Sequence, residues 1–81
     1  MERARKVYIE VTAKFDKEGN IHPLSITWED GRIYEITKIT DIRPAASMKA
    51  GGVGMRYTCR ISGKDSFLFL EENRFFVEAK V

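Results

Sequence analysis

Cysteine and histidine are the scarcest chemically useful residues here, with Cys59 and His22 the single examples of each. One cysteine cannot form an intrachain disulfide, and one cysteine with one histidine cannot build a Cys/His metal cluster. Long apolar runs are missing too. Nothing approaches the ~18 residues of a membrane span, and no apolar core follows the charged start Met1-Glu2-Arg3-Ala4-Arg5-Lys6. The expectation is a cytoplasmic protein without membrane contact, in which Cys59 stays reduced. Repeats and low-complexity segments are absent as well, so the 81 residues read as one domain spanning 1–81.

A domain of this size buries only somewhat over ~60% of the surface its unfolded chain exposes. Without disulfides or metals, it depends on a well-packed core, extended where needed by self-association. At 43% hydrophobic and 11% aromatic the composition supplies such a core. The net charge of +2 is too small to imply nucleic-acid binding by itself, so its distribution along the chain matters more.

The dominant period along the chain is two, the mark of half-buried strands. Val7, Ile9, Val11, Ala13 and Phe15 alternate with Lys6, Tyr8, Glu10, Thr12 and Lys14. A turn at Asp16-Lys17-Glu18-Gly19-Asn20 leads to a strand with Leu24, Ile26 and Trp28 on one face, which predicts a largely buried Trp28. Pro23 lacks an N–H and belongs at a sheet edge or at the strand start. For the next turn, a three-residue loop Glu29-Asp30-Gly31 pairs Trp28 with Arg32 and aligns Tyr34 and Ile36 with Ile26 and Leu24. A two-residue Asp-Gly loop would bury Glu35 instead, so the three-residue register is preferred, with Gly31 left-handed.

The following strand runs from Arg32 to about Ile42. Its apolar spacing shifts from two to three at Ile36, Ile39 and Ile42. A β-bulge near Thr37-Lys38 restores alternation; a helix is the rival reading, disfavoured by the crowding of Thr and Ile. Residues 44–54 form the one non-strand segment, a short helical or irregular excursion opened by Pro44 and closed by glycines. Met55, Tyr57, Cys59 and Ile61 then alternate with Arg56, Thr58, Arg60 and Ser62, and a last hairpin follows from Phe67 to Ala79. The fold expected is all-β: a small SH3-like, partly closed barrel of five to six antiparallel strands, with the excursion at 44–54.

Trp28-Glu29-Asp30-Gly31-Arg32-Ile33-Tyr34-Glu35, Arg56-Tyr57-Thr58-Cys59-Arg60-Ile61, Leu68-Phe69 and Arg74-Phe75-Phe76-Val77-Glu78 together resemble short bacterial proteins of unknown function and similar length. The resemblance covers most of the chain and implies a bacterial, cytoplasmic, stand-alone domain. That group has no assigned activity, so the resemblance transfers no site residue.

Catalysis finds little support. His22 precedes Pro23 at a strand start, and Cys59 sits on the apolar parity of its strand, which suits an inert thiol. Glu71-Glu72 and Glu29-Asp30 are neighbours in turns, where two carboxylates rarely converge on one bond. No cofactor motif is present: Gly51-Gly52-Val53-Gly54 lacks the strand and the Gly-Lys-Ser/Thr of a P-loop. A non-catalytic binding module is the expectation, and two surfaces are candidates.

The first is a basic stripe. No acidic residue falls between Asp41 and Asp65, whereas Arg43, Lys49, Arg56, Arg60 and Lys64 all do. Arg56 and Arg60 share parity and stand about 13 Å apart, at roughly 3.3 Å per residue. Such a stripe suits nucleic acid or another polyanion, although Tyr57 points to the opposite face and supplies no stacking partner there. The second surface is apolar. A two- or four-residue turn in the last hairpin puts Leu68, Leu70, Phe75 and Val77 on one face and Phe67, Phe69 and Phe76 on the other. That second set needs a cover: the 44–54 segment, the N-terminal residues, or another molecule, including a second copy of the chain.

Overall fold

The computed structural model describes residues 4–45 and 54–80. They form seven strands: β1 (Ala4–Tyr8), β2 (Glu10–Phe15), β3 (Ile21–Thr27), β4 (Ile33–Ala45), β5 (Gly54–Ile61), β6 (Lys64–Glu71) and β7 (Arg74–Lys80). They make one antiparallel sheet in the order β1-β7-β6-β5-β4-β3-β2. The terminal strands of that order, β1 and β2, are consecutive in the chain and separated only by Ile9. One bent stretch of backbone therefore joins both ends of the sheet, and the Ile9 N–H donates to the Phe75 carbonyl at 3.1 Å. The result is a half-barrel, all-β as the alternation predicts. Its seven strands exceed the expected five to six because the regular 7–15 alternation is divided at Ile9 between two pairing partners.

Turn chemistry fixes each register. Trp28 and Arg32 pair through a 2.8 Å bond, the Gly31 N–H closes on the Trp28 carbonyl at 2.9 Å, and Gly31 has φ +86°. Ile26 thus faces Tyr34, and Ile33 is left 69% exposed. Two-residue loops join β5 to β6 and β6 to β7. Ser62 and Gly63, then Glu72 and Asn73, all take positive φ, as a hairpin turn matching strand twist requires. In the β2–β3 turn the Asp16 carboxylate accepts from the backbone N–H groups of Glu18 and Asn20, from the Asn20 side chain and from His22 Nε2, all within 2.9–3.1 Å. His22 and Asn20 hold this carboxyl down to about 2 from its ordinary 3.8.

Bulges bend the sheet. In β4, Ile36, Ile39 and Ile42 lie opposite Ile61, Cys59 and Tyr57, so steps of three face steps of two. The extra residues are Thr37, where a bulge was expected, and Thr40. Their hydroxyls donate to the Arg60 and Thr58 carbonyls at 3.1 and 3.3 Å, partnering backbone groups where the ladder is interrupted. A further shift in β2–β3 sets Thr12 opposite Ser25 but Ala13 opposite Pro23, skipping Leu24. Pro23 and Ile26 are buried and Leu24 is 49% exposed, which corrects its expected core position. Trp28, expected to be largely buried, is half-buried at the rim.

The excursion expected at 44–54 is also revised. Pro44 and Ala45 continue β4, Gly54 opens β5 directly opposite Ala45, and residues 46–53 lie outside the described residues. A Cβ on Gly54 would come within 2.6 Å of the Leu70 carbonyl, so close backbone approach explains that glycine. The core gathers Ile26, Tyr57, Cys59 and Leu68, with Ile9, Val11, Ile39, Phe75 and Val77 among those packed against it.

Two outcomes follow. Gly31→Ala has open space for its Cβ, so its cost is backbone strain alone, about 1 kcal/mol or more in urea denaturation; a neutral variant would mean another turn type. The second concerns acid. The lowered Asp16 pKa stabilises the fold above about pH 4, and this contribution disappears as pH falls toward 2. Asp16→Asn should flatten the decline in urea midpoint between those values, and an unchanged decline would show that the carboxylate does not hold the turn.

Candidate functional site

The outward face of β4, β5 and β6 is where the structure concentrates charge. On β5, Tyr57 and Cys59 point into the core, leaving Arg56, Thr58 and Arg60 outside. The ladders then fix their neighbours. Arg43, Asp41 and Lys38 of β4 lie opposite Arg56, Thr58 and Arg60, and Phe69, Phe67 and Asp65 of β6 flank the same three residues.

Arg43 and Arg56 thus stand directly opposite each other, an arrangement that repels on a sheet face. Each resolves this through a different neighbour. Arg43 Nε donates to Asp41 Oδ2 at 2.6 Å, which raises the guanidinium pKa further. The Arg56 guanidinium lies 4.6 Å from the ring centroid of Phe67, and its buried Nε has no hydrogen-bond partner among the described residues. Arg60 pairs with Asp65 at 3.2 Å. Both ion pairs are solvent-exposed, where such contacts contribute ~1 kcal/mol or less and exchange readily for another anion.

Arg43, Arg56 and Arg60 are therefore brought together. Lys64 is opposite Ile61, on the other parity, and does not share their face. Lys49 lies outside the described residues. Sequence reasoning missed two members. Lys38 joins the stripe because the Thr37 bulge restores its alignment with Arg60. Phe67 provides the aromatic neighbour that Tyr57 cannot, reaching Arg56 from the adjacent strand. The readable signal was Ser62-Gly63: a two-residue turn there sets Phe67 opposite Thr58, beside Arg56.

The apolar candidate is taken apart by the fold. The last hairpin has the register expected for a two- or four-residue turn, closed here by two residues, with Leu70 opposite Phe75 and Phe69 opposite Phe76. Phe69 and Phe76 do face away from the main core, but they are 6% and 0% exposed, and only Phe67, at 51%, is open. Lys6 and Tyr8 provide cover, set beside Phe76 by the β1–β7 register. The Tyr8 ring meets Phe76 edge-on at 5.6 Å, Phe69 stacks on Phe76 at 5.2 Å, and the Lys6 ammonium sits 4.4 Å from the Phe76 centroid. Lys6 also pairs with Glu71 at 3.1 Å, and the Arg74 guanidinium lies 3.6 Å from the Tyr8 centroid. Phe67, Phe69 and Phe76 are thus no common interface: two of them form a second small core, closed by the N-terminal strand.

The reactive side chains are held in structural roles. Burial pushes the Cys59 thiol up to about 11, and the thiol donates to the Tyr57 carbonyl at 3.7 Å. His22 is engaged with Asp16 at 3.0 Å. Among the described residues no three His, Cys, Asp or Glu side chains are grouped to hold a metal, and no helix is long and apolar enough to cross a membrane.

Because Phe76 is closed in by its own chain, Phe76→Ala should cost about 3–5 kcal/mol in chemical denaturation. Stability equal to the wild type would place that ring outside the folded core.

Comparison with known proteins adds no relative: no family model matches this chain, no curated protein matches it, and no solved structure matches it.

Proposed function

We propose that this domain is a non-catalytic binding module whose β4–β6 outer face docks on single-stranded nucleic acid. What carries this reading is the cross-strand grouping of Arg43, Arg56 and Arg60 with Lys38 around an exposed Phe67. The four cations outnumber the two carboxylates among them, Asp41 and Asp65. Phosphates would replace those carboxylates as partners of Arg43 and Arg60, at little cost because both pairs are exposed. Arg56 and Phe67 form a cation–aromatic pair at the centre of the face, which offers flat surfaces to an unpaired base. A duplex keeps its base faces stacked inside and would engage only the charges, so the exposed ring favours a single strand. The buried thiol and the engaged histidine support a role without chemistry.

Titration of a labelled thymidine oligomer at several salt concentrations tests the reading. Affinity should fall steeply with salt, and replacing Arg43 and Arg60 by Gln should reduce the slope of log K against log salt by about 1.4, at about 0.7 per single-strand phosphate contact. Phe67→Ala should weaken binding by about 1–3 kcal/mol with the slope kept, because stacking releases no counterion. Absence of binding at low salt, or a slope indifferent to the double substitution, would remove the proposal. Equal affinity for duplex would remove its stacking part.

A further inference from the structure

The second strand has an unused edge. Along a strand, the N–H and C=O groups of alternate residues point to opposite sides, and two bonds show which way each set points here. Asp16 donates to Asn20 across the β2–β3 turn, so Glu10, Thr12 and Lys14 share its direction toward β3. Ile9 donates to Phe75 on the β7 side, so Val11, Ala13 and Phe15 point the same way as Ile9. β7 pairs with β1 only as far as Tyr8–Phe76. Beyond that point no strand among the described residues pairs with the free side of β2. A groove of about 410 Å³ opens between β2 and the last hairpin, lined by Ile9, Val11, Ala13, Phe15, Arg74 and Phe75. Phe15 is 69% exposed at its outer end.

An open row of backbone donors and acceptors beside apolar side chains is a site for another strand. We propose that the occupant is β2 of a second copy, antiparallel, with the two-fold axis at Thr12. The charges select both the partner and the register. Centred on Thr12, the pairing puts Glu10 of each copy opposite Lys14 of the other and Val11 opposite Ala13, and it stops short of Ile9, whose outward N–H is taken by Phe75. Glu10 and Lys14 are exposed, and neither makes an ion pair among the described residues. The same register brings the outward groups of Val11 and Ala13 face to face as hydrogen-bonded pairs. Moving the axis to Ala13 keeps that alignment but opposes Glu10 to Asp16, two acids. Moving it half a step points the outward groups of one strand at none on the other. A lysine on a sheet edge ordinarily discourages pairing, and here the self-complementary Glu10 turns it into an attraction on both sides of the axis. The pairing is independent of the β4–β6 face and leaves that face open, so the dimer would carry two copies of it.

Sedimentation of the full chain over a concentration series, with far-ultraviolet circular dichroism as the check on folding, tests the proposal. The wild type should sediment as a dimer. Lys14→Glu sets acids against each other twice and should raise the dissociation constant about tenfold or more. The exchange Glu10→Lys with Lys14→Glu should restore dimerisation. Ala13→Pro removes an edge donor that the monomer does not use and should give folded monomer. A monomeric wild type at high concentration would overturn the second-copy assignment and leave the edge to a foreign strand. A dimer indifferent to Lys14→Glu, or one not restored by the exchange, would overturn the Thr12 register. Should Ala13→Pro unfold, the two charge variants decide alone.

Discussion

Between Ile36 and Ile42, β4 uses three residues wherever β5 uses two, and the curvature of the molecule depends on that mismatch. Each extra residue is a threonine whose hydroxyl bonds the opposite carbonyl, so the bend does not leave those backbone groups unpaired. A flat sheet of seven strands would leave β1 and β2 far apart at its two ends. Curled, it lets one stretch of chain serve both edges, with Ile9 bonded to Phe75 where the two ends meet. The core around Tyr57, Cys59 and Leu68 is the concave side of that curl.

The same curl explains how a small domain accommodates more large apolar residues than one core face can take. Leu68, Leu70, Phe75 and Val77 belong to the concave side. Phe69 and Phe76 lie on the convex side and would be a liability if left open. The chain solves this with β1, whose Tyr8 is set directly opposite Phe76 from the other end of the sequence. Tyr8 supplies an edge-on ring and Lys6 lays its ammonium over Phe76 while pairing with Glu71. An aromatic convex face thereby becomes a satisfied one, with Phe67 and the outer side of Tyr8 the large apolar surfaces left exposed nearby.

Phe67 is exposed among arginines, and this gives the convex face its chemical character. Arginines opposite one another on a sheet repel, so each must be satisfied by a different neighbour. One borrows a carboxylate two residues away in its own strand, and the other lies on a ring of the next strand. Both solutions are local: the Arg43–Asp41 pair is exposed, whereas Arg56 keeps its Nε buried beside Phe67. The proposed binding on this side would be uncoupled from folding, and the proposed pairing at the β2 edge lies on another side.

The pattern along the chain was enough to determine what depends on near neighbours. Period-two alternation marked the strands, and Gly31 and the apolar set Ile26, Tyr34 and Ile36 settled the β3–β4 register. The step of three through Ile36, Ile39 and Ile42 announced the bulge at Thr37. Even the parity of Phe69 and Phe76 was legible, because side-chain direction in a strand follows counting alone. Tertiary structure decided what counting cannot reach. The alternation from Val7 to Phe15 has no break, so nothing in it reveals that Ile9 divides the strand between two partners. Leu24 left the core because its own strand carries it as the extra residue where the pairing with β2 shifts by one. Phe76 is buried rather than offered to a partner because Lys6 and Tyr8 arrive beside it, and Arg56 gained its aromatic neighbour from β6 rather than from its own strand. Each of these rests on which strand lies beside which. That choice minimises exposed apolar surface over the whole sheet at once, and no single stretch of sequence contains it.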